Sequence, residues 1–291
     1  MSRFRIFLTS AIITLFCLIP IYMLVIGISG VETDSQAVAG EAQNVSKLSP
    51  TQEDTLTLLL VPRCEQTVAA MIRLDAWENR GEIMILPENT LLPVGEAEQT
   101  LKEAYDQRGP LQLRSSIEQL TGIDFERYLA PEHAALIELF RGVTPTMHWD
   151  ELGQLQNLAM LRRFAYNGGQ GTISAQSAAL LLTQENTAPS LRAQLAANLF
   201  GAFLQQALSH PPLASDSDIA AASVEWFRSD QQLLTDISAV DIYGVERLFR
   251  LLMANPPEVT AQVVPGKITP QGYVLSSEGI ARMTALLSPT Q

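Results

Sequence analysis

Residues 6–28, IFLTSAIITLFCLIPIYMLVIGI, carry no charge and are mostly apolar. A hydrocarbon core of about 30 Å takes roughly 20 helical residues to cross, so this run is expected to span a bilayer as one helix. Pro20 is tolerable there if another group satisfies the freed carbonyl. Arg3 and Arg5 precede the run and no basic residue follows it until Lys47. The positive-inside bias therefore leaves the N-terminus in the cytoplasm and the rest of the chain outside. The competing arrangement is a cleaved signal peptide ending at Ala37-Val38-Ala39, before Gly40. A signal core is shorter, about 7–15 residues, with its cleavage site close behind it, which favours the uncleaved anchor.

The remaining pattern divides the chain into a tip and anchor (1–30), a linker (31–53) rich in Ser, Ala, Gln, Gly and acidic residues, and an external domain (54–291). Apolar runs of strand length fall at 55–61, 67–74 and 82–86, the last two joined as a hairpin through the polar stretch 75–81. Helical spacing follows at 97–107. A second helix starts at Pro110, repeats Leu111, Leu113, Ile117 and Leu120, and stops at Gly122. A strand at 125–129 leads to a helix at 131–140. Further helices are expected at 174–183, 190–208 and 240–253, strands at 259–264 and 273–275, and a closing helix at 277–287. Strands interspersed with helices predict a single layered α/β domain with a central mixed β-sheet flanked by helices. Gly168-Gly169-Gln170-Gly171 lacks the strand-before, helix-after setting and the lysine of a phosphate loop, and reads as a turn.

Composition narrows the function. The chain is 47% hydrophobic and 17% charged, with a net charge of −12. Arg3 and Arg5 are the sole charges in the first thirty residues, so the external part is more acidic still. Such a surface repels nucleic acid, and no nucleic-acid partner is expected. Cys17 lies in the apolar run and Cys64 stands alone outside it, leaving no pair for an intrachain disulfide in the domain. His133, His148 and His210 lack zinc-ligand spacing, and no metal ligand is assigned.

Several segments, taken in order, resemble one family. They are Ala104-Tyr105, Arg108-Gly109-Pro110, Leu120-Thr121-Gly122-Ile123, Tyr128, Arg141-Gly142-Val143, Val263-Val264-Pro265-Gly266 and Gly272-Tyr273-Val274-Leu275. Their order and spacing are similar to those of the LytR-CpsA-Psr (LCP) family. These extracytoplasmic enzymes move glycan polymers from polyprenyl pyrophosphate carriers onto the bacterial cell wall. The resemblance spans about 55–287 and implies a location at the bacterial cytoplasmic membrane, anchored through one N-terminal helix with the domain outside. It also implies magnesium, although no cofactor is assigned to this chain.

The departures fall on the family's chemistry. Its Arg-Ser-Asp-Thr strand opening appears as Cys64-Glu65-Gln66-Thr67, and its Pro-Arg-Asp-Thr signature as Pro87-Glu88-Asn89-Thr90. The later Ala-Leu-x-Tyr-x-Arg and Arg-x-x-Arg-Gln pair is reduced to Arg192. Catalysis on a pyrophosphate needs preorganised positive charge and a divalent ion, whereas Glu88 would repel a phosphate. The resemblance leaves Arg63, Thr67, Asn89, Thr90 and Arg192 as candidate phosphate or ligand contacts, with no catalytic residue assigned. Asn89 and Thr90 equally suit a strand-to-loop turn, and Thr67 equally suits a strand. Arg73 and Arg108 read as structural or solvated, and Trp77, Trp149 and Trp226 as packing or loop anchors. The expected function is a non-catalytic LCP-like envelope protein that keeps binding of a polyprenyl-linked glycan or lipid. An active phosphotransferase with a relocated basic site and a scaffold for another envelope protein are the alternatives.

Overall fold

Strand-length apolar runs separated by turn residues make up a β-rich first third, and helices dominate the remainder. In the computed structural model the elements begin with β1 (Thr55–Leu60), β2 (Ala69–Asp75), β3 (Arg80–Leu86), β4 (Leu91–Val94), β5 (Ala97–Thr100), α1 (Leu101–Thr121), β6 (Arg127–Pro131) and α2 (His133–Leu139). They continue with β7 (Thr146–His148), β8 (Gln170–Thr172), α3 (Ala175–Thr183), α4 (Pro189–Ser209), β9 (Leu233–Thr235) and α5 (Ala239–Ala254). The last are β10 (Val259–Val263), β11 (Gly266–Ile268), β12 (Tyr273–Leu275) and α6 (Ser277–Leu287). The structure describes residues 49–63, 67–140, 143–148, 170–183, 187–209 and 233–288. The expected anchor at 6–28, Cys64 to Gln66, Arg141-Gly142, Gly168-Gly169, Trp149, Trp226 and His210 lie outside them. Among the described residues no helix is long and apolar enough to cross a membrane.

The main sheet has the order β10-β3-β2-β1-β6-β9. β1 is parallel to β6 and β3 to β10, while β2 runs antiparallel between β1 and β3, and β9 runs antiparallel to β6. The sheet is therefore mixed. Its apolar runs are continuous because both faces are covered. On one face Leu60, Ala70 and Ile85 line up across β1, β2 and β3 and join a core with Leu136, Leu181, Leu195 and Leu199 from α2, α3 and α4. On the other face Leu59, Met71 and Met84 line up and pack with Leu113 and Ile117 of α1 and Met283 and Leu287 of α6. α4 lies so close to β10 that a Cβ on Gly201 would sit 2.8 Å from the Ala261 methyl.

Helix ends follow local chemistry. Thr100 and Glu103 form a capping box at the start of α1, Ser238 and Asp241 another at α5, and Ser276 caps α6. At the far end of α6, the Arg73 guanidinium donates to Leu287 O at 3.4 Å and that of Arg80 to Leu286 O at 3.3 Å. These cations sit where the helix dipole is negative.

Two expectations need correction. The helix expected over 97–107 begins only at Leu101, because Ala97–Thr100 pairs with Leu91–Val94 as a hairpin. The capping box fixes that start, since Thr100 must be extended to accept from the Glu103 amide. The helices expected on either side of Gly109-Pro110 are both present within α1: Gly109, at φ 75° and ψ −174°, is non-helical and separates them, and Pro110 opens the second. The described part of the glycine cluster, Gln170 and Gly171, belongs to β8, paired with β7.

All four parallel-oriented strands end at one edge of the main sheet, where β2 begins. This carboxyl edge also receives the N-terminus of α4, and in open α/β sheets it is where ligands bind. The opposite, amino edge is closed by α5, whose Leu248, Leu251 and Leu252 pack on Leu56, Leu74 and Ala76.

Candidate functional site

Beyond β3, residues 87–90 close a tight turn at the carboxyl edge. The Thr90 amide and Oγ1 both donate to Pro87 O, at 3.0 and 2.7 Å. The next three carbonyls are occupied as well: Lys102 N donates to Glu88 O at 3.0 Å, Tyr273 N to Asn89 O at 2.7 Å, and Leu101 N to Thr90 O at 2.8 Å. The first turn of α1 and strand β12 thus fix this turn from two sides. A Cβ on Gly272 would lie 2.6 Å from Asn89 O, so only glycine permits the approach. With its backbone immobilised, the turn aims the Glu88 side chain reproducibly.

Glu88 meets Arg192. The Arg192 Nη1 donates to Glu88 Oε2 at 2.7 Å and Nη2 to Thr187 O at 3.0 Å. The Arg192 side chain is 0% exposed and that of Glu88 14% exposed. Arg192 occupies the first turn of α4, where unpaired amides carry positive partial charge. A buried guanidinium at a helix N-terminus is unfavourable by itself, and the carboxylate across the edge offsets both charges. Glu88 therefore holds the position an anionic ligand of Arg192 would take.

Arg63 follows the same pattern at the end of β1. Its amide donates to Pro131 O at 2.7 Å, and its Nη1 meets Glu132 at 2.9 Å, both side chains about one-third exposed or more. Thr67 is completely buried at the start of β2, and Thr90 is completely buried within its turn. Asn89 Oδ1 is buried and has no hydrogen-bond partner among the described residues. Arg73 is buried within the α1/α6 face, paired with Asp75 at 2.7 Å. Arg108 is exposed on α1 just before its kink. The structure thus gathers Arg63, Thr67, Asn89, Thr90 and Arg192 at one edge, and leaves Arg73 and Arg108 outside that group. Sequence reasoning missed Glu132 as the partner of Arg63 and Thr187 as a carbonyl partner of Arg192. Glu132 was accessible as the residue after an apolar strand; the Thr187 carbonyl leaves no residue-type signal.

Tyr273, which braces the turn, donates its hydroxyl to Val264 O at 2.7 Å, and burial pushes its pKa up, so it stays neutral. The described residues do not fit a divalent ion: Glu88 and Glu132 each bind an arginine, and no three described His, Cys, Asp or Glu side chains converge. Chemically, this edge offers buried polar groups and internally balanced charge.

No family model and no curated protein matches the sequence. The fold has known counterparts. Bacillus subtilis TagV superposes with a TM-score of 0.61 at 10% identity, covering 83% of this chain and 100% of TagV. B. subtilis TagT superposes at 0.58 and 12% identity, covering 82% of this chain and 92% of TagT. A structure of TagT bound to LI-WTA gives 0.58 at 12% identity, covering 80% and 89% respectively. TagV and TagT are LCP family enzymes, and the described domain of this chain has an LCP-like fold.

Proposed function

We propose that this protein is a membrane-anchored, extracytoplasmic LCP-like component of the bacterial cell envelope that binds a lipid-linked glycan, or its polyprenyl chain, without transferring it. The observation that carries this reading is the Arg192–Glu88 pair, 2.7 Å long and closed to solvent at the arginine. A pyrophosphate leaving group needs unspent positive charge, and loss of one preorganised donor already costs about 3–4 kcal/mol of barrier. Here both candidate arginines at the carboxyl edge, Arg192 and Arg63, meet a carboxylate of the same chain. Leu60, Ile83 and Ile85 of the sheet pack directly on Leu195 and Leu199 of α4 as core, so what supports ligand binding is the likeness of fold to TagT, a structure of which is bound to LI-WTA.

The test is transfer of glycan from a polyprenyl pyrophosphate carrier by the purified full chain with magnesium, alongside native mass spectrometry of the same sample. We expect no transfer and a retained prenyl lipid. Turnover that disappears on Arg192→Ala would refute the non-catalytic reading. Recovery of lipid-free protein that takes up no added polyprenyl phosphate would refute binding.

A further inference from the structure

Two polar atoms beside the Arg192–Glu88 pair are left unused by the fold. Asn89 Oδ1 and Thr187 Oγ1 are both buried, and neither has a hydrogen-bond partner among the described residues. Thr187 as a whole is 7% exposed. Printed contacts join the two atoms into one constellation. Asn89 follows Glu88 in the immobilised turn, Glu88 accepts from Arg192 Nη1 at 2.7 Å, and Nη2 of the same guanidinium donates to Thr187 O at 3.0 Å. Buried polar atoms are nearly always paired, so two unpaired ones around a single side chain call for a partner that the fold does not supply. Solvent is close by: Glu88 and Asn89 are part-exposed, and Ala188 and Ser190, on either side of the first residue of α4, are exposed.

We propose that these two atoms take the hydroxyls of an uncharged sugar, so that the carboxyl edge reads the neutral part of a glycan and not a phosphate. This rests on the glycan-binding reading above. The chemistry of the atoms sets the ligand class. Asn89 Oδ1 can only accept, whereas the Thr187 hydroxyl both donates and accepts. An ionised phosphate oxygen also only accepts, so it finds no donor in Asn89 Oδ1 and meets the repelling Glu88 carboxylate beside it. A sugar hydroxyl donates to Asn89 Oδ1 and a second one accepts from Thr187 Oγ1, with no charge to bury. Both arginines of this edge are paired, to Glu88 and Glu132, and a neutral ligand leaves those pairs intact. The free protein has already taken both atoms out of water, and the Tyr273 amide holds the Asn89 carbonyl in place at 2.7 Å. The sugar therefore gains two hydrogen bonds to preorganised atoms with no further desolvation of either.

The experiment uses the purified full chain in a sugar-free zwitterionic detergent, with saturation-transfer NMR and thermal melts on the same samples. The probes are chitotriose, maltotriose and mannotriose, with glucose 1-phosphate and inorganic pyrophosphate as the charged comparisons. We expect saturable binding of at least one trisaccharide, tighter than that of either anion and independent of magnesium. Thr187→Val and Asn89→Leu should each weaken it about tenfold while leaving Tm level or higher, because each removes an unpaired buried atom. Asn89 has no positive φ for a leucine to strain. Protein that retains a prenyl lipid but binds no trisaccharide overturns this inference and leaves the lipid-binding reading standing. Absence of both ligands overturns both. Pyrophosphate binding as tight as that of the sugars overturns the neutral class. Sugar binding that survives both substitutions, or a lowered Tm in both variants, overturns the assignment to these atoms.

Discussion

If Glu88 and Arg192 form a desolvated, mutually dependent pair, their substitutions must be strongly non-additive. Arg192→Met removes the Nη1 donor to the Glu88 carboxylate and the Nη2 donor to the Thr187 carbonyl. Because Glu88 retains 14% exposure, some rehydration softens the loss, and about 2–3 kcal/mol is expected. Glu88→Met instead leaves a guanidinium of 0% exposure without its carboxylate, which costs about 3–5 kcal/mol. Replacing both residues by methionine removes the two desolvation penalties together. Such exchanges are often neutral or stabilising, so the double variant should lie within about 1 kcal/mol of the parent. Chemical denaturation of the three variants and the parent, followed by far-ultraviolet circular dichroism, completes the cycle. In a domain of this size each kcal/mol also moves Tm by about 2–4 °C. Pyrophosphate supplies a further check: it should restore stability to Glu88→Gln, in which the Glu88 carboxylate beside Arg192 is gone, by about 2.7 kcal/mol at 100 times its Kd. It should leave the parent unchanged. Neutral single substitutions, or a double variant as unstable as the two losses summed, would refute the closed pair, and with it the main support for a non-catalytic role.

Two further outcomes follow from geometry elsewhere. The Arg247 hydrogen bond, acting against desolvation, holds the Asp54 carboxyl at about 2 rather than 3.8. A depressed folded-state value gives stability that is present above the unfolded value and lost as pH falls through the folded one, here between pH about 4 and about 2. Asp54→Asn should therefore flatten the acid limb of the stability profile in that window and cost about 2 kcal/mol at neutral pH; an unchanged limb on acid titration would contradict it. Gly201→Val should lower stability by about 1–3 kcal/mol through overpacking against Ala261, and Ala261→Gly should restore part of the loss in thermal melts.

Where local chemistry suffices, the sequence by itself determined the element. β1 and α6 lie within a residue of the expected spans, because a short apolar run bounded by polar residues has one good conformation and Ser276 starts a helix wherever it occurs. The mixed α/β sheet followed from alternation of such elements, and Gly122 ended α1 because glycine adopts φ 69° at little cost. Segment 97–100 was not legible by propensity, since Ala, Glu and Gln favour helix, yet the Thr100–Glu103 capping box carried the true boundary. The candidate site was legible as a set of positions, and not as an arrangement. Glu88 read as a repelling charge because its partner lies 104 residues away, and no local pattern encodes a contact made by the end of β3 and the first turn of α4. Only the tertiary structure could decide whether Arg192 is spent. The energy of a charge depends on what surrounds it in space, and burial joined a candidate phosphate contact and a repelling carboxylate into one ion pair.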